Sequence, residues 1–449
     1  MVENSNQISK IWIAIGTPFQ ANFFSPLIKE LSGEYEFLIF ARNHDHIFKI
    51  LDAKKIDYIA VGKHGGKELE GKLQAYAQGI QEMIPLVKRE KPDLLLTERW
   101  PEAVRVAFGF NIPSWAIFYD ERERHVNQMV FPLANKVFSP RFYSIEDLYH
   151  HGVADPEKVV WFNGFHTCYL KGQKFSDNNP FEKMGIKKPI LLVRPEPEFA
   201  AFFPHVRPVL ERAVERLVDI KTDDGRMLNV VVLPRSEDQA KRYSRLNVVV
   251  ADESTIECPV AHIDIALGSA ETMLMEAFTL CKPAISAIYW SESKPVTELH
   301  KYIIHSTDPV QITNSIQRYL DPSEQRVYSE RARLIIESMD NPVQIMIEEI
   351  RRINIQESRK EKILIKRRSR LEIMMDIIQS TTFRPCRPTH IMKMANISYN
   401  ELKLVLELLE KQGLLKAENT YTGKYYRSTT EAIQLLNDYR SIKLRLLNE

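Results

Sequence analysis

Residues 398–413 read Ser-Tyr-Asn-Glu-Leu-Lys-Leu-Val-Leu-Glu-Leu-Leu-Glu-Lys-Gln-Gly, and this stretch decides the fold of the last part of the chain. Ser398 and Glu401 have the spacing of a capping box, in which the hydroxyl accepts from the third helical amide and the carboxylate reaches back. Gly413 predicts the end of this helix, because glycine readily takes the left-handed conformation of a C-cap. Helical spacing marks the face predicted to be buried: Leu402, Val405, Leu406 and Leu409.

The flanking segments predict the other elements of a winged helix-turn-helix. A short helix opens at Pro388, and its Ile391 and Met394 are predicted to point inward. Tyr421-Thr-Gly-Lys424 lies between apolar pairs and predicts a two-stranded wing with a turn at Gly423. A first and a last helix are indicated by two apolar sets: Leu371, Met374, Ile377 and Ile378, then Ile433, Leu436, Tyr439 and Ile442.

Residues 364–445 resemble the archaeal ArnR-like winged-helix family, through the runs 366–373, 391–398 and 408–415. The resemblance implies binding of double-stranded DNA, with the third helix in the major groove. The residues of this helix that are then predicted to contact DNA are Ser398, Tyr399, Asn400 and Lys403, and Asn400 is predicted to bind an adenine. The predicted phosphate contacts are Arg367, Arg368, Lys416, Lys424 and Arg427. The alternative is a domain for protein contacts or dimerisation, because Glu401, Glu407 and Glu410 weaken attraction to phosphate.

Composition sets broad limits on the rest of the chain. Its 449 residues predict two or three domains, and a net charge of +2 predicts no polyanion partner from the overall charge alone. A basic run from Arg359 to Arg370 is either a solvated linker or a phosphate contact. The four cysteines lack metal-site spacing, and neither a signal peptide nor an apolar run of membrane length is evident. These features predict a cytoplasmic protein without a membrane segment.

Before the winged helix, short apolar runs alternate twice with amphipathic stretches. This pattern predicts an α/β fold with two Rossmann-like, doubly wound lobes, each built on a parallel sheet covered on both faces. The predicted strands are 11–15, 37–40, 58–61, 94–96, 115–118 and 159–161, then 190–193, 230–233, 248–250, 263–266 and 284–288. The predicted domains are an N-terminal lobe (10–163), a C-terminal lobe (186–350), a basic helical linker (351–366) and the winged helix (367–449). A long helical region, 323–352, is predicted to close the second lobe.

A small-residue loop in the second lobe follows a strand and opens a helix, at Ala266-Leu-Gly-Ser-Ala-Glu-Thr-Met-Leu-Met-Glu276. Backbone amides at such a helix N-terminus bind phosphate, so Gly268, Ser269 and Thr272 are predicted ligand contacts. The Glu276 carboxylate is placed to hold two ribose hydroxyls. An ordinary strand-to-helix loop with an exposed glutamate is the alternative.

This segment looks like the nucleotide-sugar site of GT-B proteins such as MurG-type glycosyltransferases and UDP-N-acetylglucosamine 2-epimerases. Residues 10 to about 340 resemble an uncharacterised archaeal and bacterial family, a domain of unknown function with that architecture. The stretches that carry this resemblance are 13–31, 62–67, 102–109, 193–196 and 266–276. It implies a UDP-type nucleotide-sugar as ligand and adds Gly16, Thr17, His64, Gly65 and Arg194 as contacts. Relatives have a histidine after Thr-Pro and consecutive glycines in the phosphate loop, whereas this chain has Phe19-Gln-Ala-Asn22 and Gly268-Ser-Ala-Glu271.

Asp120 and Glu121 directly follow a strand, at the sheet edge where α/β sites lie, and are candidate catalytic residues together with His205. Surface ion pairs are the alternative for each. Other polar candidates for the cleft are Glu98, Arg99, His125 and Glu196.

Three functions remain open on the sequence. The favoured one is a DNA-binding transcriptional regulator whose GT-B-like part binds a nucleotide-sugar or related metabolite. The second is a nucleotide-sugar-dependent glycosyltransferase or epimerase with an accessory winged helix, and the third is a non-enzymatic assembly protein. Spare apolar residues on the last helix, such as Leu436 and Tyr439, predict a homodimer or packing within their own domain.

Overall fold

The computed structural model describes residues 8–44, 46–66, 68–175, 179–198, 209–252, 258–269, 271–288, 293–363, 370–382, 384–395, 397–420 and 423–447. The chain forms two compact units, Met1–Ile355 and Gln356–Glu449. The first contains both α/β lobes and the second contains the winged helix.

The N-terminal lobe is a parallel sheet of seven described strands in the order β3-β2-β1-β4-β5-β6-β7. The strands are β1 (Lys10–Ile15), β2 (Glu36–Asn43), β3 (Ile59–Lys63), β4 (Leu94–Thr97), β5 (Ser114–Ile117), β6 (Lys136–Pro140) and β7 (Val159–Phe162). The helices are α1 (Pro18–Leu31), α2 (Ile47–Ala53), α3 (Leu69–Glu90), α4 (Pro101–Gly109), α5 (Arg124–Val130) and α6 (Ile145–His150). Strand β6, which ends in serine and proline, has no counterpart among the predicted strands.

The C-terminal lobe is a second parallel sheet, with described strands in the order β10-β9-β8-β11-β12-β13. The strands are β8 (Ile190–Arg194), β9 (Asn229–Val232), β10 (Val249–Val250), β11 (Ile265–Gly268), β12 (Ala284–Ser286) and β13 (Ile304–His305). The helices are α7 (Pro180–Lys183), α8 (Val209–Glu215), α9 (Glu237–Tyr243), α10 (Glu271–Thr279), α11 (Lys294–Leu299), α12 (Pro309–Tyr319) and α13 (Pro322–Glu337). The fold class predicted from the sequence is confirmed.

Continuous apolar strands result from burial on both faces of each sheet. In β1, Ile11, Ile13 and Ile15 enter one hydrophobic cluster, while Trp12 and Ala14 enter the cluster on the opposite face. Successive side chains of a strand point to opposite faces, so a strand covered on both sides needs apolar residues at every position.

The helical region predicted over 323–352 is present as two helices, because residues 338–341 interrupt it, and only the first of the two closes the second lobe as predicted. Helix α13 packs on the C-terminal lobe through Ala332 and Ile336, whereas helix α14 (Pro342–Ile363) packs on the core of the N-terminal lobe. The chain therefore crosses between the lobes a second time. The buried residues of α14 in the N-terminal core are Val343, Met346, Ile347 and Ile350.

The two crossings between the lobes are hydrogen-bonded to each other. The Asn163 amide donates to Asp340 Oδ2 at 2.7 Å, and the Asp340 amide donates to the Asn163 carbonyl at 2.7 Å. Asn163 Nδ2 also donates to the Ser338 carbonyl at 3.0 Å. The two chain segments that connect the lobes are thus paired with each other.

The second unit has the predicted winged helix-turn-helix elements. They are α15 (Arg370–Ser380), α16 (Pro388–Ala395), α17 (Tyr399–Lys411), the antiparallel wing of β14 (Leu415–Thr420) and β15 (Gly423–Ser428), and α18 (Thr430–Leu447). Ser398 Oγ caps α17 by accepting from the Glu401 amide at 3.3 Å, and Gly413 has a φ of 72° just after the helix.

Three side chains of this unit differ from the predicted inward faces. Met394 is 62% exposed, Ile442 is 57% exposed and Leu371 is 50% exposed. Ala395, rather than Met394, is the buried residue at the end of α16. Leu371 and Ile442 lie toward the outer ends of α15 and α18, where the small core no longer covers a helix face.

Candidate functional site

Polar side chains follow β1, β4 and β5 at one edge of the N-terminal sheet. Gln20 is 1% exposed; its Oε1 accepts from the Gly16 amide, and its Nε2 donates to Glu98 Oε2 at 2.7 Å. Thr17 caps α1, since its hydroxyl accepts from the Gln20 amide at 3.3 Å. Gly16 and Thr17 thus lie beside a buried carboxylate, and Gln20 links them to it.

Glu98 holds two further partners at this edge. The Tyr119 hydroxyl donates to Glu98 Oε1, and Arg99 Nη2 lies 2.7 Å from the same oxygen. The Arg99 guanidinium is also 5.1 Å from the centre of the Tyr119 ring. Burial disfavours the Arg99 charge, yet the carboxylates of Glu98 and Asp120 raise its pKa above the ordinary value. Arg99 therefore stays protonated although its side chain is buried.

Asp120 lies at the same edge, directly after Tyr119. Its carboxylate accepts from Arg122 Nε and Nη2, both at 2.9 Å. Burial alone would raise the pKa of Asp120, but the hydrogen bonds and charge of Arg122, with Arg99 nearby, hold this pKa below its usual value. Asp120 is thus a stable carboxylate.

Arg122 also joins the two lobes, because its Nη2 donates to Glu271 Oε1 at the start of α10. Arg122 is shared between Asp120 and Glu271, so its single positive charge offsets only part of the negative charge beside the predicted phosphate loop. A second link between the lobes runs from the Lys294 amide to Glu121 Oε1 at 2.7 Å, and the Tyr143 hydroxyl also donates to Glu121. Both candidate carboxylates, Asp120 and Glu121, therefore lie where the lobes meet.

His166 lies in the first crossing between the lobes, in a 3₁₀ helix that spans His166–Leu170. Its ring stacks on Tyr119 at 3.9 Å between centroids and meets the Phe19 ring edge-on at 5.1 Å. Burial lowers the pKa of His166 to about 3, so the imidazole is neutral at physiological pH. Its Nε2 has no hydrogen-bond partner among the described residues.

Four residues of this cluster were not predicted from the sequence as site residues: Gln20, Tyr119, Arg122 and His166. The sequence feature that could have pointed to His166 is its position in the polar stretch that connects the two predicted lobes, directly after Gly164 and Phe165. Gln20 lies in the first turn of α1, in the stretch after Thr17-Pro18 where relatives were expected to have a histidine.

On the C-terminal lobe, the predicted phosphate loop packs closely on β8. A Cβ on Gly268 would lie 2.9 Å from Met273 Cε and 3.3 Å from the Arg194 carbonyl, so only glycine fits without a shift. The Ser269 amide donates to that carbonyl at 3.2 Å, and Arg194 Nη1 donates to the Leu233 carbonyl at 3.1 Å. The Ser269 hydroxyl is buried and has no partner among the described residues.

Thr272 and Glu276 follow on α10 and are both half-buried. Glu276 hydrogen-bonds the buried Tyr169, whose pKa is raised well above its ordinary value by burial and by this carboxylate. The predicted ribose contact therefore already has a partner.

The remaining candidates lie outside this cluster. His64 is exposed and stacks on His44 at 4.3 Å, while a Cβ on Gly65 would meet the backbone of α3, 2.4 Å from Lys72 Cα. Buried Glu196 accepts from the Val209 and Leu210 amides at 2.7 and 2.9 Å. His125 is exposed, and His205 lies outside the described residues.

The predicted DNA contacts of α17 are exposed: Tyr399, Asn400 and Lys403. In the wing, Arg427 is exposed, and Lys424 Nζ lies 3.4 Å from Glu410 and 4.8 Å from the centre of the Tyr426 ring. Arg367 and Arg368 lie outside the described residues, as do all residues from 364 to 369.

The described part of the chain lacks two kinds of feature. Within it, no group of three or more histidine, cysteine, aspartate or glutamate side chains is arranged to hold a metal ion. None of its helices is both long and apolar enough to span a bilayer.

Two families match the sequence. The family described as "Protein of unknown function (DUF354)" matches residues 9–354, and the family described as "Winged helix-turn-helix" matches residues 367–446. An uncharacterised protein of Methanocaldococcus jannaschii is 26% identical over 351 residues, which cover 76% of this chain and 97% of that protein.

Solved structures resemble the two lobes. The S. aureus MnaA–UDP co-structure has a TM-score of 0.56 at 17% identity and covers 75% of this chain and 92% of its own. The UDP-GlcNAc 2-epimerase from Neisseria meningitidis bound to UDP-GlcNAc has a TM-score of 0.55 at 17% identity and covers 77% of this chain and 100% of its own. This likeness shows the GT-B fold alone.

Proposed function

We propose that this chain, which belongs to the DUF354 family of proteins of unknown function, is a DNA-binding transcriptional regulator whose GT-B part binds a nucleotide-sugar. The observation that carries the proposal is helix α14. One face of it is buried in the N-terminal lobe, and the same helix continues to Ile363, on the way to the winged helix. A ligand that changes the lobes therefore acts on the segment from which the DNA-binding unit extends.

Support for a ligand comes from buried polar groups left without partners. Buried hydroxyls and ring nitrogens are nearly always hydrogen-bonded, so each exception calls for an explanation. Ser269 Oγ, in the loop before α10, and His166 Nε2, beside Tyr119, are two such groups. A bound nucleotide-sugar supplies phosphate and hydroxyl oxygens that accept and donate hydrogen bonds.

The nature of the ligand is inferred from the loop and from the neighbours. The helix N-terminus after Gly268 and Ser269 attracts anions through its free amides and its dipole. Arg122, which also binds Asp120, partly offsets the Glu271 charge at this helix start. Two GT-B neighbours hold UDP or UDP-GlcNAc by their descriptions, so UDP-GlcNAc is the first ligand to test.

The test is calorimetry of the full chain with UDP-GlcNAc and a panel of other nucleotide-sugars. We expect Ser269→Ala to weaken binding about ten- to a hundredfold, because one hydrogen bond to a charged group is lost. Ser315→Ala is the matched control, since its hydroxyl bonds only to the Gln311 carbonyl of its own helix. Absence of binding across the panel contradicts the ligand assignment.

DNA binding is tested separately, by titrating a labelled random duplex pool with the full chain. Phosphate contacts require affinity that falls steeply between about 50 and 200 mM salt. If the lobes regulate the winged helix, UDP-GlcNAc changes the DNA affinity, and DNA changes the UDP-GlcNAc affinity by the same factor. Binding that is independent of salt contradicts the DNA-binding role.

A second candidate function is a nucleotide-sugar-dependent glycosyltransferase or epimerase. It is favoured by two buried groups at this sheet edge, Asp120, whose pKa is held below its usual value, and neutral His166, because perturbed ionisable groups are frequent in active sites. If the chain turns over a nucleotide-sugar, and Asp120→Asn and Glu276→Gln abolish this turnover, the chain is an enzyme. Binding without turnover selects the regulator.

A further inference from the structure

Helix α17 presents one stripe of side chains that points away from the core of its domain. Its buried residues are Leu402, Val405, Leu406 and Leu409. At about 100° per residue, the positions diametrically opposite this face form a stripe along the helix. The stripe consists of Asn400, Leu404, Glu407 and Lys411, and all of them are exposed.

Leu404 is unusual within this stripe because it is 61% exposed and lies between two polar positions. A single exposed leucine needs no explanation by itself. Here, however, it occupies the middle of the helix that a winged-helix domain places in the major groove, one helical turn after Asn400.

Resting on the proposed DNA-binding function, we infer that Asn400 and Leu404 read an adenine and a nearby thymine. The asparagine amide matches adenine in the major groove, where it accepts from N6 and donates to N7. The thymine C5-methyl group is the apolar feature of that groove, and apolar side chains contact it, so an exposed leucine has the chemistry for this contact.

The spacing of the two residues fits neighbouring base pairs. Residues 400 and 404 are separated by about 6 Å along the helix axis, and base pairs stack about 3.4 Å apart. The adenine and the thymine therefore lie within about two base steps of each other. Lys403, beside the stripe, and Lys411, at its end, provide cations for the adjacent phosphates.

The test begins by selecting preferred duplexes from a random pool with the full chain. Each thymine of a selected duplex is then replaced by uracil, which removes only the C5-methyl group. We expect one or two replacements to weaken binding about fourfold, the effect of one buried methyl group. In Leu404→Ala the same replacements should have no effect, and in Asn400→Ala the preference for adenine should fall about tenfold.

Leu435→Ala is the control, because Leu435 is an exposed leucine on α18 and should leave the uracil effect unchanged. Salt-dependent binding with no uracil effect at any position overturns the inference and leaves the DNA-binding function intact. A uracil effect that persists in Leu404→Ala also overturns it. If α17 instead binds a protein partner, no duplex is enriched, and the proposed function fails together with the inference.

Discussion

Replacement of His166 by phenylalanine should make the two lobes less sensitive to acid. Phenylalanine preserves a flat ring against Tyr119 and Phe19, the two aromatic neighbours of His166, while removing the group that titrates. His166 is 2% exposed, and burial lowers its pKa from 6.5 to about 3, with the Asp120 charge opposing this and the Arg99 charge reinforcing it. The unfolded chain therefore binds a proton at a pH where the folded chain does not.

The sign and size of the effect follow from this difference. Above the unfolded pKa of 6.5 both states have a neutral imidazole, and the full stability is present. Between 6.5 and about 3 the unfolded state gains a proton alone, so the free energy of unfolding falls as the pH falls. The slope is about 1.4 kcal/mol per pH unit, which gives a loss of roughly 2 kcal/mol at about pH 5.

The assay is urea unfolding followed by tryptophan fluorescence at several pH values. All five tryptophans, Trp12, Trp100, Trp115, Trp161 and Trp290, precede the winged helix, so the signal reports on the lobes. Other groups titrate in both proteins, and the measured quantity is therefore the difference in the free energy of unfolding between wild type and His166→Phe. We expect this difference to change by roughly 2 kcal/mol between about pH 7 and pH 5 in favour of the variant.

Exposed His125 provides the matched variant, since His125→Phe makes the same substitution on the surface, away from Tyr119 and Phe19. A difference between wild type and His166→Phe that is constant over this pH interval would refute the reasoning. It would mean that His166 takes up a proton in the folded state, and hence that it is not held neutral against Tyr119.

Three further predictions concern packing, charge and DNA contact. Gly65→Ala should destabilise the lobes by roughly 1–3 kcal/mol in urea unfolding, because the added Cβ meets backbone, whereas Gly33→Ala, with open space around it, should not. Arg122→Ala should lower the free energy of unfolding by about 3–5 kcal/mol in the same assay, because it leaves buried Asp120 without its bidentate partner. A loss below about 1 kcal/mol would show that the Arg122–Asp120 pair is solvated. Arg427→Ala should weaken duplex binding equally across sequences and reduce the salt slope by about one, and an unchanged slope argues against a phosphate contact.

The fold was largely predictable because local signals agree with the tertiary structure. The cap at Ser398, the glycine at 413 and the apolar spacing of α17 all concern contacts within a few residues. Strand β6 was not predicted because Lys136-Val-Phe-Ser-Pro140 has only two apolar residues in a row, and its position in the sheet is set by pairing with β5 and β7. The break between α13 and α14 depends on which lobe each helix covers.

The candidate site was less predictable because its contacts join distant parts of the chain. Asp120 is recognisable from its place after a strand, but its partner Arg122 also binds Glu271, 149 residues away. His166 and Tyr119 are brought together only when the first crossing packs on the N-terminal lobe, and neither belongs to a periodic pattern. The position of Gln20 beside Glu98 depends likewise on the pairing of β1 with β4.

The second crossing of the chain affects how the protein is made. Strand β7 ends at Phe162, but the N-terminal core is completed only by α14, beginning with Val343. At synthesis rates of about 5–20 residues per second, the ribosome needs roughly 10 to 40 seconds to make the intervening lobe. During that time the apolar surface that α14 later covers remains open to solvent. A nascent chain stalled within the C-terminal lobe should therefore be a preferred client of ribosome-associated chaperones, whereas one stalled well beyond α14 should not.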